Sequence, residues 1–265
     1  MKYFYLLLLF ASCTPFLTMT KKTEQNDGFH TNKVIAHRGA WKKSNLPQNS
    51  IASLKEAIRL GCEGSEFDVW MTADSVLVVN HDADFYGLPI ETSSYQELLE
   101  KKHSNGELIP TVEAYLQEGM KQSRTKLIME IKPSEVNGER GLAIAKRAVE
   151  MVKQLGAVDW VDYIGFDYDM CLKIIELDPS ANVAYLEGDK SPEELAETGF
   201  FGLDYHYSLL RDKPHWIEKA LDLGLTVNAW TVNEPEEMKW LLSKGLRFIT
   251  TDEPELLLEI INQPH

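Results

Sequence analysis

From Lys33 onward, short apolar runs alternate with longer segments whose apolar residues recur at helical spacing. The runs predict strands over 33–37, 64–70, 126–131, 161–166, 182–186, 201–205, 225–230 and 246–250. The segments between them predict helices over 49–60, 139–155, 169–177, 191–198, 212–223 and 234–244, and a last helix over 254–262. Ser191-Pro192-Glu193-Glu194 has the form of a helix start, a Ser cap followed by Pro and then acids. Eight strands alternating with helices over roughly 230 residues match the size of an α/β TIM (β/α)₈ barrel. Doubly wound sheets share the alternation, so the count favours the barrel without excluding the open sheet. The rhythm breaks once, between the second and third strands. There 71–125 holds an extra apolar run, Val76-Leu77-Val78-Val79, followed by Asn80-His81-Asp82. This segment reads as a small insertion at the strand-end face, where barrel active sites are built. No internal repeat or linker follows residue 33, so 33–265 is expected to be one domain.

Composition narrows the partners. Lys plus Arg is 27 and Asp plus Glu is 41, a net charge of −14. That balance argues against nucleic acid, which needs a basic face, and against adhesion to anionic lipid through a basic patch. The N-terminus suggests a different route to a membrane. Met1-Lys2 precedes an apolar stretch over 3–11, too short to span a bilayer but of signal-peptide length. Ala11-Ser12-Cys13 closes it and resembles the lipobox of a bacterial lipoprotein, with Phe10 where Leu is usual. The expectation is a signal peptide over 1–12, lipidation at Cys13 and a polar tether over 13–32. The protein would then be exported, lipid-anchored in the cell envelope and periplasm-facing. A plain secretory signal, with Cys13 incidental, is the alternative. Cys62 and Cys171 lie in apolar surroundings and are expected to be separate core thiols. Neither has the CxxC spacing of a zinc site.

The predicted strand ends carry unusual chemistry. The first strand ends in His37-Arg38-Gly39. In the second, Glu66 and Asp68 are two apart and share one face. The third has Glu130 and Lys132 in the same relation, and the insertion supplies His81. Three inward carboxylates in one site would force protons onto one another unless a cation intervenes. Carboxylate oxygens suit a hard divalent ion, Mg²⁺ or Ca²⁺. Arg38 and Lys132 add positive charge suited to a phosphate, and His37 with His81 offers an acid and a base near neutral pH. Each piece alone is more often a salt-bridge or turn element. Their convergence at the strand ends of one barrel points to metal-assisted cleavage of a phosphate ester.

With these residues in place, the chain resembles the glycerophosphodiester phosphodiesterase family over 33–255. The motifs are Ala36-His37-Arg38-Gly39, Pro47-Gln48-Asn49-Ser50, Gly64-Ser65-Glu66-Phe67-Asp68-Val69 and 72–82. Glu130-Ile131-Lys132, Ala229-Trp230-Thr231-Val232-Asn233 and 249–254 complete them. The resemblance implies a TIM barrel with a small inserted subdomain and hydrolysis of glycerophosphodiesters to glycerol 3-phosphate and an alcohol. It implies His37 and His81 as the acid–base pair, and Glu66, Asp68 and Glu130 as holders of one divalent ion. It further implies Arg38 and Lys132 on the phosphate and Trp230 against the glycerol. Gln48 departs from the family's usual Glu, commonly a metal ligand. It keeps a carbonyl oxygen for a metal or pocket role but loses a charge.

Other residues invite weaker expectations. Trp41 and Phe85 would wall the leaving group, and Tyr205-His206-Tyr207 would either shape the pocket or pack. Glu187 would meet glycerol hydroxyls or solvent, and Asp252 reads as structural. Two rival functions stand beside the first. One is a phosphodiesterase acting on intact phospholipid or lysophospholipid. The other is a non-catalytic lipoprotein binding a phosphorylated ligand.

Overall fold

The computed structural model describes residues 28–263. The expected signal peptide, Cys13 and most of the expected tether lie outside them. The first half of the fold runs β1 (Val34–Ala36), α1 (Ile51–Leu60), β2 (Gly64–Met71), β3 (Leu77–Val79), β4 (Asp84–Phe85), β5 (Leu88–Pro89), α2 (Tyr95–Leu98), α3 (Val112–Gly119), β6 (Lys126–Ile131) and α4 (Gly138–Leu155). The second half runs β7 (Val161–Gly165), α5 (Tyr168–Leu177), β8 (Val183–Tyr185), α6 (Pro192–Glu197), β9 (Gly202–His206), α7 (Tyr207–Asp212), α8 (His215–Asp222), β10 (Thr226–Trp230), α9 (Pro235–Ser243), β11 (Phe248–Thr251) and α10 (Pro254–Asn262).

Eight parallel strands, β1, β2 and β6 to β11, pair in sequence order, and β1 pairs with both β2 and β11. The sheet therefore closes into a TIM barrel, and the open-sheet alternative is excluded. Period-two alternation sorts the side chains. Phe67 and Val69 of β2, with Leu127, Met129 and Ile131 of β6, belong to the apolar layer under the helices. A smaller cluster of Ile35, Ile128, Ile164, Ala184, Leu186 and Phe248 fills the barrel interior. Glu66, Asp68 and Glu130 share that inward parity, Glu66 lying opposite Ile128 and Asp68 opposite Glu130 one step nearer the strand ends.

Several boundaries differ from the expected ones for local reasons. The helix expected over 49–60 starts at Ile51. Asn49 is left-handed (φ 55°), and Ser50 caps the helix through its bond from the Ser53 N–H. The helix expected over 212–223 is α8, which begins only at His215, and a separate short helix, α7, precedes it where none was expected. Pro214 disfavours helical backbone at Lys213, so α7 stops at Asp212 and α8 begins at His215. Segment 71–125 also divides. Its last part, α3, is a barrel helix, packed through Tyr115 and Leu116 into the main apolar layer. The part before it adds β3 antiparallel to β2 and the small hairpin β4–β5. That part has its own core of Trp70, Val78, Phe85, Ile90, Leu98 and Ile109.

The end of the expected tether is not free. Phe29 packs edge-on against Trp160, the His30 N–H donates to Arg124 O at 2.7 Å, and Asn32 Nδ2 donates to Gly61 O at 2.7 Å. These contacts lie where the strands begin, opposite the catalytic mouth. Cys62 and Cys171 are both buried and unbridged. No helix among the described residues is long and apolar enough to cross a membrane.

Leu127 shows how tightly the outer layer is packed. It is fully buried on β6. A Cβ added at Gly119 of α3 would come within 2.7 Å of its methyls. Leu127→Ala is expected to destabilise the fold by about 2–5 kcal/mol. The reading is a lower urea midpoint at unchanged denaturant slope.

Candidate active site

The site is assembled by two left-handed residues and two strands. Arg38, just past β1, has φ 56°, which turns its backbone N–H onto Glu66 Oε2 at 2.7 Å. Gly39 follows at φ 79°, where a Cβ would lie 2.6 Å from the Ser53 carbonyl carbon, so the chain passes only as glycine. Asn49 donates its backbone N–H to Arg38 O at 3.0 Å. Its side chain then clasps Asp68 twice. Nδ2 donates to Oδ2 at 2.8 Å, and Oδ1 accepts the Asp68 N–H at 3.0 Å. The His-Arg-Gly and Pro-Gln-Asn-Ser motifs are thus one scaffold holding two carboxylates still.

Glu66, Asp68 and Glu130 each offer an oxygen within 4.8 Å of the others, and all three are buried. Lys132 bridges two of them, Nζ lying 2.6 Å from Glu130 Oε1 and 2.9 Å from Asp68 Oδ1. Arg38 Nε stands 3.9 Å from Asp68 Oδ2, while its Nη1 donates to Gln48 Oε1 at 2.7 Å. The Gln48 carbonyl is therefore engaged by the guanidinium rather than directed among the acids. His37 Nε2 lies 4.0 Å from Glu66 Oε2. Trp230 donates Nε1 to Asp204 O at 2.9 Å and meets Phe166 edge-on. With Ile164 and Leu186 these rings form the apolar wall of a cavity of about 100 Å³. The opposite wall carries His37, Arg38, Glu66, His81, Glu130 and Lys132. Every core site residue expected at the strand ends is thereby at one opening, with Asp68 just beneath it.

Both histidines are held alike. His37 Nδ1 is 2.7 Å from Asp252 Oδ1, and His81 Nδ1 is 2.7 Å from Asp82 Oδ1, so each ring keeps Nε2 for other business. Asp252 is in turn fixed by Asn233, whose Nδ2 donates to Oδ2 at 2.9 Å. The residue read as structural thus stands against one of the two histidines. The signal was present in the barrel closure, which sets the end of β11 beside the end of β1. Asn49 was missed because nothing in its motif announces a side chain that binds Asp68. Asp204, also missed, is buried at the cavity floor with Oδ1 lacking a partner among the described residues. Tyr205 packs in the outer layer, whereas His206 meets Trp230 edge-on. Glu187 is exposed and Trp41 does not line the cavity.

The electrostatics of the acids are strained. Burial, then the charges of Asp68 and Glu130, push the Glu66 carboxyl well above its ordinary value. Burial and the Asp68 charge push Glu130 up to about 7. Burial also acts to raise Asp68, but Lys132, His81 and Asn49 outweigh it and hold that carboxyl low. Burial opposes the charge on Lys132, yet Asp68 and Glu130 keep its ammonium above the usual range. Burial lowers the His81 imidazole, against the pull of Asp68. Burial and the Glu130 charge push Asp204 up to about 8.

The acids fit a divalent cation. Glu66 Oε1 is buried with no hydrogen-bond partner among the described residues, and the donors are all hard oxygens. Repulsion among three carboxylates is the conflict such an ion relieves.

A barrel with this set of acids, cations and histidines at its mouth defines a hydrolase of the phosphodiesterase class. Residues 37–256 match the Glycerophosphoryl diester phosphodiesterase family, and the chain belongs to that family. It is similar to the crystal structure of a glycerophosphodiester phosphodiesterase from Parabacteroides distasonis, at 46% identity and TM-score 0.84. That match covers 88% of this chain and 98% of that one. A glycerophosphodiester phosphodiesterase from Caldanaerobacter subterraneus is 25% identical over 248 residues, covering 87% of this chain and 98% of its own. The fold also resembles that of an Oleispira antarctica phosphodiesterase solved with the product sn-glycerol-3-phosphate. It has TM-score 0.73 and 24% identity, with 87% of this chain and 97% of that one covered. Hydrolysis of glycerophosphodiesters is the activity to which this membership points.

Asp252 gives a pH-dependent signature. Burial acts to raise its carboxyl, but the His37 hydrogen bond and charge and the Asn233 bond hold it below the ordinary 3.8. A carboxyl depressed in the folded state stabilises fully above its unfolded value and loses that contribution as pH falls through the folded one. The stability gap between wild type and Asp252→Asn is therefore expected to be widest near neutrality and to close below about pH 3.8. Urea titrations across that range measure it.

Proposed function

We propose that this protein hydrolyses glycerophosphodiesters to glycerol 3-phosphate and an alcohol, with one divalent ion held by Glu66, Asp68 and Glu130. The observation that carries the reading is the placement of those acids, Arg38, Lys132 and two histidines about one cavity with an apolar wall. The product reported with the Oleispira antarctica protein supports the identity of the phosphate product. An Mg²⁺ or Ca²⁺ ion there would withdraw charge from the phosphate oxygens.

The chain's own residues supply the rest. Arg38 and Lys132 orient the phosphate and balance its charge. Trp230, Phe166 and Leu186 receive the carbon skeleton of the glycerol. A glycerol hydroxyl attacks phosphorus while one imidazole Nε2 takes its proton. The other imidazole gives a proton to the departing alcohol, and water then opens the cyclic phosphate. Asp252 and Asp82 hold the two rings with Nε2 directed to these transfers. Gln48, bound to Arg38, sets the guanidinium rather than the ion. We further propose export and lipid anchoring through Cys13, on the strength of the N-terminal sequence.

Release of glycerol 3-phosphate from glycerophosphocholine by the purified protein is expected to stop with chelator and return with one added ion. His37→Ala and His81→Ala are each expected to cost 10²-fold or more in kcat, an order set by lost acid–base catalysis, with His81→Ala melting as wild type and His37→Ala melting only slightly lower through loss of its bond to Asp252. Near-normal turnover in both variants would remove the acid–base assignment. Retention of saturable phosphate-ester binding without turnover in wild type would instead favour the binding protein. Cys13→Ser is expected to move the protein from the membrane fraction to the soluble one. An unchanged distribution would point to the plain secretory signal.

A further inference from the structure

Beside the catalytic cavity lies a second, of about 340 Å³, that the reaction described so far does not use. It sits between the barrel and the small inserted subdomain. His81 borders both cavities, so a molecule bound across its ring would occupy the two together. We propose that this second cavity receives the departing alcohol and favours alcohols that carry an ammonium group. The inference rests on the phosphodiesterase reading and adds the other half of the substrate.

The walls have one electrical character. Asp82 and Asp84 line the cavity, and no lysine or arginine does among the described residues. Its aromatic side is Phe85 and Tyr86, from the β4–β5 hairpin, with His103 behind them. Tyr86 occupies a conspicuous position. It and Gly87 form the turn of the hairpin, both at positive φ (51° and 86°). Turns of that kind take Asn-Gly, because a bulky side chain strains left-handed backbone. Here a tyrosine is held there, 55% exposed, its ring centroid 4.7 Å from that of Phe85. Its hydroxyl lies 3.3 Å from His103 Nδ1. His103 is 94% buried (6% exposed) and its Nε2 has no partner among the described residues. An exposed aromatic ring beside carboxylates, here Tyr86 backed by the buried Phe85, attracts an alkylammonium through both the ring face and the charge. An acidic alcohol would meet only repulsion there.

The position also assigns the proton transfers. An alcohol in this cavity leaves its bridging oxygen on the His81 side. As the glycerol hydroxyl forms its bond to phosphorus, the bond from phosphorus to that oxygen breaks. His81 gives the oxygen its proton, and His37 accepts the proton of the attacking hydroxyl.

The test compares kcat/KM for the choline, ethanolamine, glycerol and inositol diesters of glycerophosphate. It uses the wild type, Tyr86→Asn and Asp84→Asn. Asparagine suits the turn at 86, and at 84 it keeps an oxygen to accept the Gly87 N–H, now bound at 2.7 Å. Wild type is expected to prefer the two ammonium diesters. Each substitution is expected to cut their kcat/KM roughly three- to tenfold, the range for a partly exposed cation–aromatic or ion contact, with the glycerol diester nearly unchanged. Indifference of wild type to the alcohol, or equal losses on all four diesters, overturns the proposal. Turnover of the glycerol diester reports the underlying phosphodiesterase reading by itself, and failure on all four overturns both. A nitrophenyl diester, whose alcohol departs without a proton, separates the histidines. The loss in His81→Ala is expected to be about 100-fold smaller on it than on the choline diester. An equal loss on both substrates removes the alcohol from the His81 side.

Discussion

Three carboxylates facing one another inside a barrel are an electrostatic problem that the surrounding structure is built to contain. Glu66, Asp68 and Glu130 lie on adjacent strands β2 and β6, in register through the Asp68–Glu130 pair. Burial denies them water, and their mutual repulsion raises two of the three above ordinary carboxylate behaviour. Lys132 stands between two of them, Asn49 clamps one, and the Arg38 backbone N–H clamps another. Removing the carboxylates would leave these cationic and amide groups buried without partners. Mechanism, local backbone and charge balance therefore depend on the same three oxygen pairs.

The backbone accepts its own cost to serve that arrangement. Left-handed geometry is unfavourable for an arginine and tolerated by an asparagine, and at Arg38 and Asn49 it aims groups at the acids. The strands, by contrast, are regular. Their alternation delivers one apolar set to the helices and another to the lumen, with polar residues taking the inward positions towards the strand ends, without special devices. Rigidity comes from the barrel, and direction comes from a few unusual turns at its rim.

Much of this was legible because it obeys short periods. The two-residue spacing of Glu66 and Asp68, and of Glu130 and Lys132, places each pair on one face whatever the neighbours do. The helix start at Ser191 follows from its capping residue. What escaped depends on contacts distant in the chain. Asp252 holds His37 across 215 positions, and only the closure of the sheet brings them together. The split of 71–125 was hidden because α3 has the apolar spacing of a barrel helix but follows directly on the inserted subdomain. The docking of Phe29 and His30 was hidden because a polar, aperiodic segment gives no sign of the surface that will receive it.

That docking has an architectural consequence. Thr31, Asn32 and Lys33 share a groove with Ile260 and Ile261 of α10. The chain therefore comes into the barrel and finishes its last helix at the same pole, and the mouth is left to loops alone. Gly28, where the described residues begin, stands behind the opening rather than across it. The domain is thus modular in a literal sense. Both ends of the described residues lie at its base, and neither shadows its approach side.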